Sequence, residues 1–154
     1  MSLRAVVSAL SPATGKVTAA YLLIAAVANL VWEAAQLPLY TIWQTRRPAQ
    51  LAYAVLRCTL GDLLVLSGTF LAALLMTAYP DWPRQGFRRV VLTVTLLGAV
   101  YTTYSEWMNV EVLRRWAYAG SMPLLPPFGT GLAPFAQWVV IPPLSLYAAR
   151  RLFV

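Results

Sequence analysis

Apolar residues fill this chain in four long blocks, separated by short clusters of proline, glycine and arginine. Each block approaches the roughly 20 residues that carry a helix across about 30 Å of hydrocarbon, and none alternates every second residue as a membrane barrel strand does. The pattern predicts helices at about 17–39, 57–79, 90–112 and 133–149. The expected fold is therefore all-α: a polytopic membrane protein whose single domain, 1–154, is a four-helix transmembrane bundle, with an irregular Pro/Gly-rich loop between helices three and four.

Polar positions inside the blocks are few and regularly spaced. In helix one, Asn29, Glu33 and Gln36 fall at i, i+4 and i+7, a stripe that Ala25 and Tyr40 extend. Helix three repeats the spacing with Thr102, Glu106 and Asn109, and runs in the same direction. Trp32 precedes Glu33 and Trp107 follows Glu106, which hints at a parallel duplication of a two-helix unit. Helix two carries Arg57, Gly61 and Asp62 early, with Cys58, Asp62, Val65 and Thr69 on one face and Arg57 about 140° around from Asp62. Helix four has Gln137 near its start, and Pro142-Pro143 predicts a kink.

The breaks between blocks have their own readings. Ser11-Pro12-Ala13-Thr14-Gly15 reads as a turn ahead of helix one, and 80–89 as a tight connection with Asp81 solvated beside arginines. Glu111, Arg114 and Arg115 continue helical spacing past helix three and predict i, i+3 and i, i+4 charge pairs. Met122 to Pro134 holds four prolines and two glycines, too many for a regular helix and enough chain to fold over the bundle as a lid. Gly129-Thr130-Gly131 within it lacks the third glycine and the strand context of a nucleotide fingerprint.

Composition agrees with the pattern. The chain is 60% hydrophobic and 11% charged, with mean hydropathy +0.64, too apolar to leave a charged surface around a soluble core. Its net charge of +7 would point to nucleic acid in a soluble domain. Here the arginines pair at helix ends, as Arg46-Arg47, Arg88-Arg89, Arg114-Arg115 and Arg150-Arg151, where they anchor to phosphates, so no nucleic-acid partner is expected. Seven basic residues (Arg4, Lys16, Arg84, Arg88, Arg89, Arg150, Arg151) flank one side and five (Arg46, Arg47, Arg57, Arg114, Arg115) the other. That bias favours a cytoplasmic (inner) membrane with both termini inside. Ala26-Val27-Ala28 resembles a signal-peptide cleavage site, but the apolar run continues past it through Trp32.

Histidine is absent, which removes histidine-ligated haem and di-iron sites, Ser-His-Asp triads and the usual zinc shells. Cys58 stands alone and reads as a free buried thiol, so no intrachain disulfide forms. No cofactor or metal is called for; a metal held by Glu33, Asp62, Glu106 and Asn109 would have to be a hard ion such as magnesium, calcium or manganese.

Depth turns the scattered polar residues into one set. At 1.5 Å per residue Glu33 lies about 24 Å from Val17, and Glu106 about 24 Å from Val90. Asp62 lies about 25 Å before Tyr79, and Gln137 about 20 Å before Arg150. Asn29, Glu33, Gln36, Asp62, Glu106, Asn109 and Gln137 are thus expected in one leaflet, with Arg57, Arg114 and Arg115 at the rim. Such residues inside a membrane are costly and usually face a partner, a cavity or a substrate. The favoured reading is an enzyme acting on a lipid or other amphiphile by general acid/base chemistry. Glu106 and Glu33 lead as catalytic residues, Asp62 follows, and Asn29, Gln36, Arg57, Asn109, Arg114 and Gln137 bind substrate. The alternatives are proton, cation or small-molecule binding or transport, and an accessory subunit of a membrane complex. Membrane lipids, an amphiphilic ligand, and a homo-oligomer or larger complex are the expected partners.

Overall fold

The computed structural model describes residues 12–77 and 81–154. The flank with Arg4, and the expected end of helix two at Tyr79, lie outside the described residues. Four long helices form: α1 (Pro12–Gln36), α2 (Pro48–Thr77), α3 (Phe87–Trp107) and α4 (Leu132–Phe153). A 3-10 turn (Leu37–Leu39) and a single helical turn (Ile42–Thr45) join α1 to α2. A wide π turn (Met108–Val112) prolongs α3, and a two-stranded hairpin, β1 (Leu124–Leu125) with β2 (Thr130–Gly131), precedes α4. Gly129 takes φ 68 at the hairpin tip, a left-handed conformation that glycine adopts without cost.

Several expected boundaries move, each for a local reason. From Pro12 onward the expected turn at Ser11–Gly15 is helix, and helix two begins at Pro48 rather than near 57. Proline suits the first position of a helix, because the N–H it lacks would have no partner there. Helix one stops at Gln36, short of 39, as Pro38 enters the 3-10 turn. Arg114 takes φ 50 just beyond the π turn, so helical spacing ends before it and the predicted Glu111–Arg114 and Glu111–Arg115 pairs are not built. Asp81 meets Gln85 Nε2 at 3.2 Å rather than an arginine. α4 continues through Pro142 and Pro143.

The helices pack in a closed cycle, α1 against α2 and α4, and α3 against the same two, leaving α1 and α3 on a diagonal. Neighbours are antiparallel. At one end Thr14 Oγ1 donates to the Trp82 carbonyl at 3.1 Å, and Arg150 lies over the Phe87 ring at 4.6 Å. At the other, Trp32 Nε1 donates to the Ala133 carbonyl at 3.2 Å. Gly98 lets α3 and α4 approach closely, since a Cβ there would overlap Trp138 Cε3.

The outward faces are apolar on every long helix. Leu23, Val27, Val31, Leu64, Leu71, Leu92, Leu96, Val100 and Leu144 are each more than half exposed. Soluble proteins seldom show so continuous an apolar surface, whereas lipid accepts it. Among the described residues three helices are long and apolar enough to cross a membrane: α1 with its 3-10 extension, α2 and α4. The last turns of α3, Tyr101 to Glu106, lower its apolar content. These helices fit an integral membrane protein.

Candidate functional site

The buried stripe of α1 changes character midway. Thr14, Val17, Tyr21 and Ala25 give way on the same face to Asn29, Glu33 and Gln36. On α3, Val90, Val91, Val94 and Gly98 give way to Thr102 and Glu106. The antiparallel helices bring matching groups from their N-terminal halves, Asp62 from α2 and Gln137 from α4. A packed apolar interior therefore occupies one end, where Tyr21, Phe70 and Trp82 stack, and a polar layer the other.

Gln137 is the hub of that layer. Its Nε2 lies 2.7 Å from Asn29 Oδ1, 2.9 Å from Asp62 Oδ2 and 3.2 Å from Glu33 Oε1. The nitrogen carries two hydrogens, so the three acceptors share them. Gln36 Nε2 donates to Glu33 Oε1 at 2.8 Å and to Gln137 Oε1 at 3.3 Å. Glu33 and Asp62 are thus brought to the same amide nitrogen from two different helices. Asn29 Nδ2 returns to its own helix, at the Ala25 carbonyl, 2.8 Å away.

Glu106 is held separately. Its Oε2 accepts from the Tyr118 hydroxyl in a short bond and from Trp116 Nε1 at 3.4 Å. Tyr118 in turn accepts the Gly131 N–H at 3.0 Å. Gly131 leaves room for this, because a Cβ there would stand 3.0 Å from the Tyr118 ring. The segment bearing these aromatics is tied to the α1–α2 connection by main-chain bonds, Thr41 N to Ala117 O at 3.0 Å and Ala119 N to Leu39 O at 2.9 Å. The Tyr40 and Tyr118 rings meet there with centroids 5.5 Å apart. Burial, with the Glu106 carboxylate beside it, holds the Tyr118 phenol above the usual tyrosine range and keeps it a donor. Burial first, and Glu106 second, do the same to Tyr40.

The expected residues thus fall into two groups. Asn29, Glu33, Gln36, Asp62 and Gln137 converge in direct contact. Asn109 instead binds its own helix, with Nδ2 at 2.8 Å from the Ser105 carbonyl. Arg57 is exposed on the outer face of α2. Arg114 is exposed too, but it lines an open cleft of about 410 Å³ with Arg46, Arg115 and Trp116. Cys58, expected to be buried, is exposed. Among the described residues no three acidic or cysteine side chains gather closely enough to hold a metal ion.

No family model, curated protein or solved structure matches the chain. The site must be read from its own chemistry. Two acceptors in it are buried without a partner, Gln36 Oε1 and Asn109 Oδ1. Sequence reasoning passed over Tyr118 and Trp116 as partners of Glu106, and Tyr40 as the neighbour of Tyr118. The signal present was an aromatic pair, Trp116 and Tyr118, immediately after Arg114-Arg115. The expected lid, Met122 to Pro134, is a short hairpin that runs into α4, and the contacts to Glu106 come from residues ahead of it.

Proposed function

We propose that this protein is an intramembrane enzyme acting on a lipid or other amphiphile by general acid/base chemistry. Its four long helices form a transmembrane bundle in a cytoplasmic (inner) membrane, with both termini inside and the polar layer toward the opposite leaflet. The reading rests on one observation: Gln36 Oε1, on the amide that binds Glu33, and Asn109 Oδ1, just past Glu106 along the chain, are buried without a partner. Structural glue would satisfy its own members, and a buried unpaired acceptor costs about 1–3 kcal/mol. A substrate hydroxyl or amide donating to these oxygens offsets that cost.

Two acid units then take different roles. Glu33 and Asp62, both held at Gln137 Nε2, act as one donor-acceptor pair, while Glu106, gripped by Tyr118 and Trp116, serves as the second acid or base. The test is conversion of a total lipid extract by the reconstituted protein, followed by mass spectrometry. Wild type is expected to deplete one lipid class, with Glu106→Gln and Glu33→Gln slower by about 10²–10⁴-fold. No depletion by wild type, or unchanged rates in both variants, would refute the enzyme reading.

The convergence of the Glu33 and Asp62 carboxyls on one amide nitrogen also favours a second reading, proton or cation binding. A thermal shift on adding sodium or changing pH, lost in Asp62→Asn, with no lipid conversion by wild type, would select it.

A further inference from the structure

The cleft lined by Arg46, Arg114 and Arg115 plays no part in the hydrogen-bond network above. Thr41, Ile42, Thr45, Val110, Trp116 and Ala117 complete its walls. Its volume of about 410 Å³ falls within the range of small-ligand sites. Among the described residues no carboxylate pairs with any of the three guanidiniums, and no acidic residue lines the cleft. The hydroxyls are already committed, Thr41 Oγ1 to the Ala117 carbonyl at 3.3 Å and Thr45 Oγ1 to the Thr41 carbonyl at 3.3 Å. The polar donors left for a ligand are therefore cationic.

Position adds a second constraint. The cleft lies at the polar end, between the α1–α2 connection and the segment after α3. Trp116 belongs both to its wall and to the hydrogen bonds on Glu106, so a ligand seated there lies one side chain away from that carboxyl. Ile42, Val110 and the Trp116 ring supply an apolar wall beside the charge.

We infer that this cleft binds the phosphate of an anionic phospholipid headgroup, placing the lipid against Trp116 and Glu106. Three unpaired guanidiniums match a phosphate better than a single carboxylate, because planar forks bind its oxygens in pairs and a dianion uses the extra charge. The apolar wall argues for the lipid-borne phosphate over a free one. The inference rests on the lipid-handling reading of the site, and its test reads binding without turnover so that the two can fail separately.

Protein in phosphatidylcholine nanodiscs is titrated with dioctanoyl phosphatidic acid, glycerol 3-phosphate and inorganic phosphate, with binding followed by calorimetry. Saturable binding of the phosphatidic acid is expected in wild type and equally in Arg84→Gln, an exposed arginine at the opposite end of the bundle. Arg114→Gln/Arg115→Gln is expected to bind at least about tenfold more weakly, since two of the three charge-assisted partners of the phosphate are lost. Both positions are exposed, and circular dichroism checks that the variant keeps its helices. Wild-type affinity in the double variant would overturn the assignment, as would glycerol 3-phosphate or inorganic phosphate binding as tightly as the lipid. An equal loss of binding in Arg84→Gln would overturn it too, by showing attraction to surface charge in general rather than to the cleft.

Discussion

Gln137 Nε2 and Asp62 Oδ2, 75 residues apart in the chain, stand 2.9 Å from each other across the helix interior. The same nitrogen reaches Asn29 and Glu33 on α1, so one amide ties three helices together. Interhelical hydrogen bonds in membranes average only about 0.6 kcal/mol each. Gln137→Leu removes the donor from three buried or partly buried acceptors at once, which raises the cost to about 1–3 kcal/mol. Equilibrium unfolding in mixed micelles measures it. A loss below about 0.5 kcal/mol would show that the acceptors find other partners.

Tyr118 both donates to Glu106 and accepts from Gly131 N–H, so Tyr118→Phe should loosen the segment ahead of the hairpin. A loss of about 1 kcal/mol corresponds to exchange of the Gly131 amide about fivefold faster. Tyr40→Phe keeps the ring contact and should leave that amide unchanged, which separates the hydroxyl from the packing.

Gly98→Ala forces a methyl group into Trp138. Overpacking of this kind costs about 1–3 kcal/mol. Trp138→Phe in the Gly98→Ala background should recover part of the loss, and a double-mutant cycle should give a coupling of about 0.5 kcal/mol or more. Simple additivity of the two variants would place the strain elsewhere.

Tyr40 and Tyr118 keep their protons above the usual tyrosine range when folded. Above pH of about 10 the unfolded chain has released protons that the folded chain still holds, so stability falls as pH rises through that region. Below about pH 10 both states are protonated and this contribution is fully present. The fall in melting temperature above pH of about 10 should be shallower in Tyr40→Phe/Tyr118→Phe than in wild type. Equal slopes would show that other tyrosines carry the effect.

The interior of the fold was more legible than its rim. Spacing alone placed Asn29, Glu33 and Gln36 on one face of α1, and that face is buried. Depth alone brought Asp62 and Gln137 to the same layer, because antiparallel helices of known rise leave little freedom. Glu106 and Glu33, expected to lead one site, sit on helices that face each other only across a diagonal, and each has its own partners, Tyr118 for Glu106 and Gln36 with Gln137 for Glu33. Tyr118 could not be found by periodicity. It lies outside the helices, and its position depends on pairing with the α1–α2 connection, far away in sequence. The N-terminal boundaries failed for a different reason: Pro12 was read into a turn and helix two was started near 57, whereas Pro12 and Pro48 each stand at a first helical position.

The strap between Leu39–Thr41 and Ala117–Ala119 is held by two main-chain bonds, to which the Thr41 hydroxyl adds one longer contact with the Ala117 carbonyl. Its register is therefore indifferent to most side chains, and Thr41, Ala117 and Ala119 can drift in sequence while the loops stay joined. Proline is the exception, since at 41 or 119 it would delete one of the two donors. A variant library selected for folding should thus tolerate many residues at these positions and exclude proline, the mark of a joint written in backbone rather than in side chains.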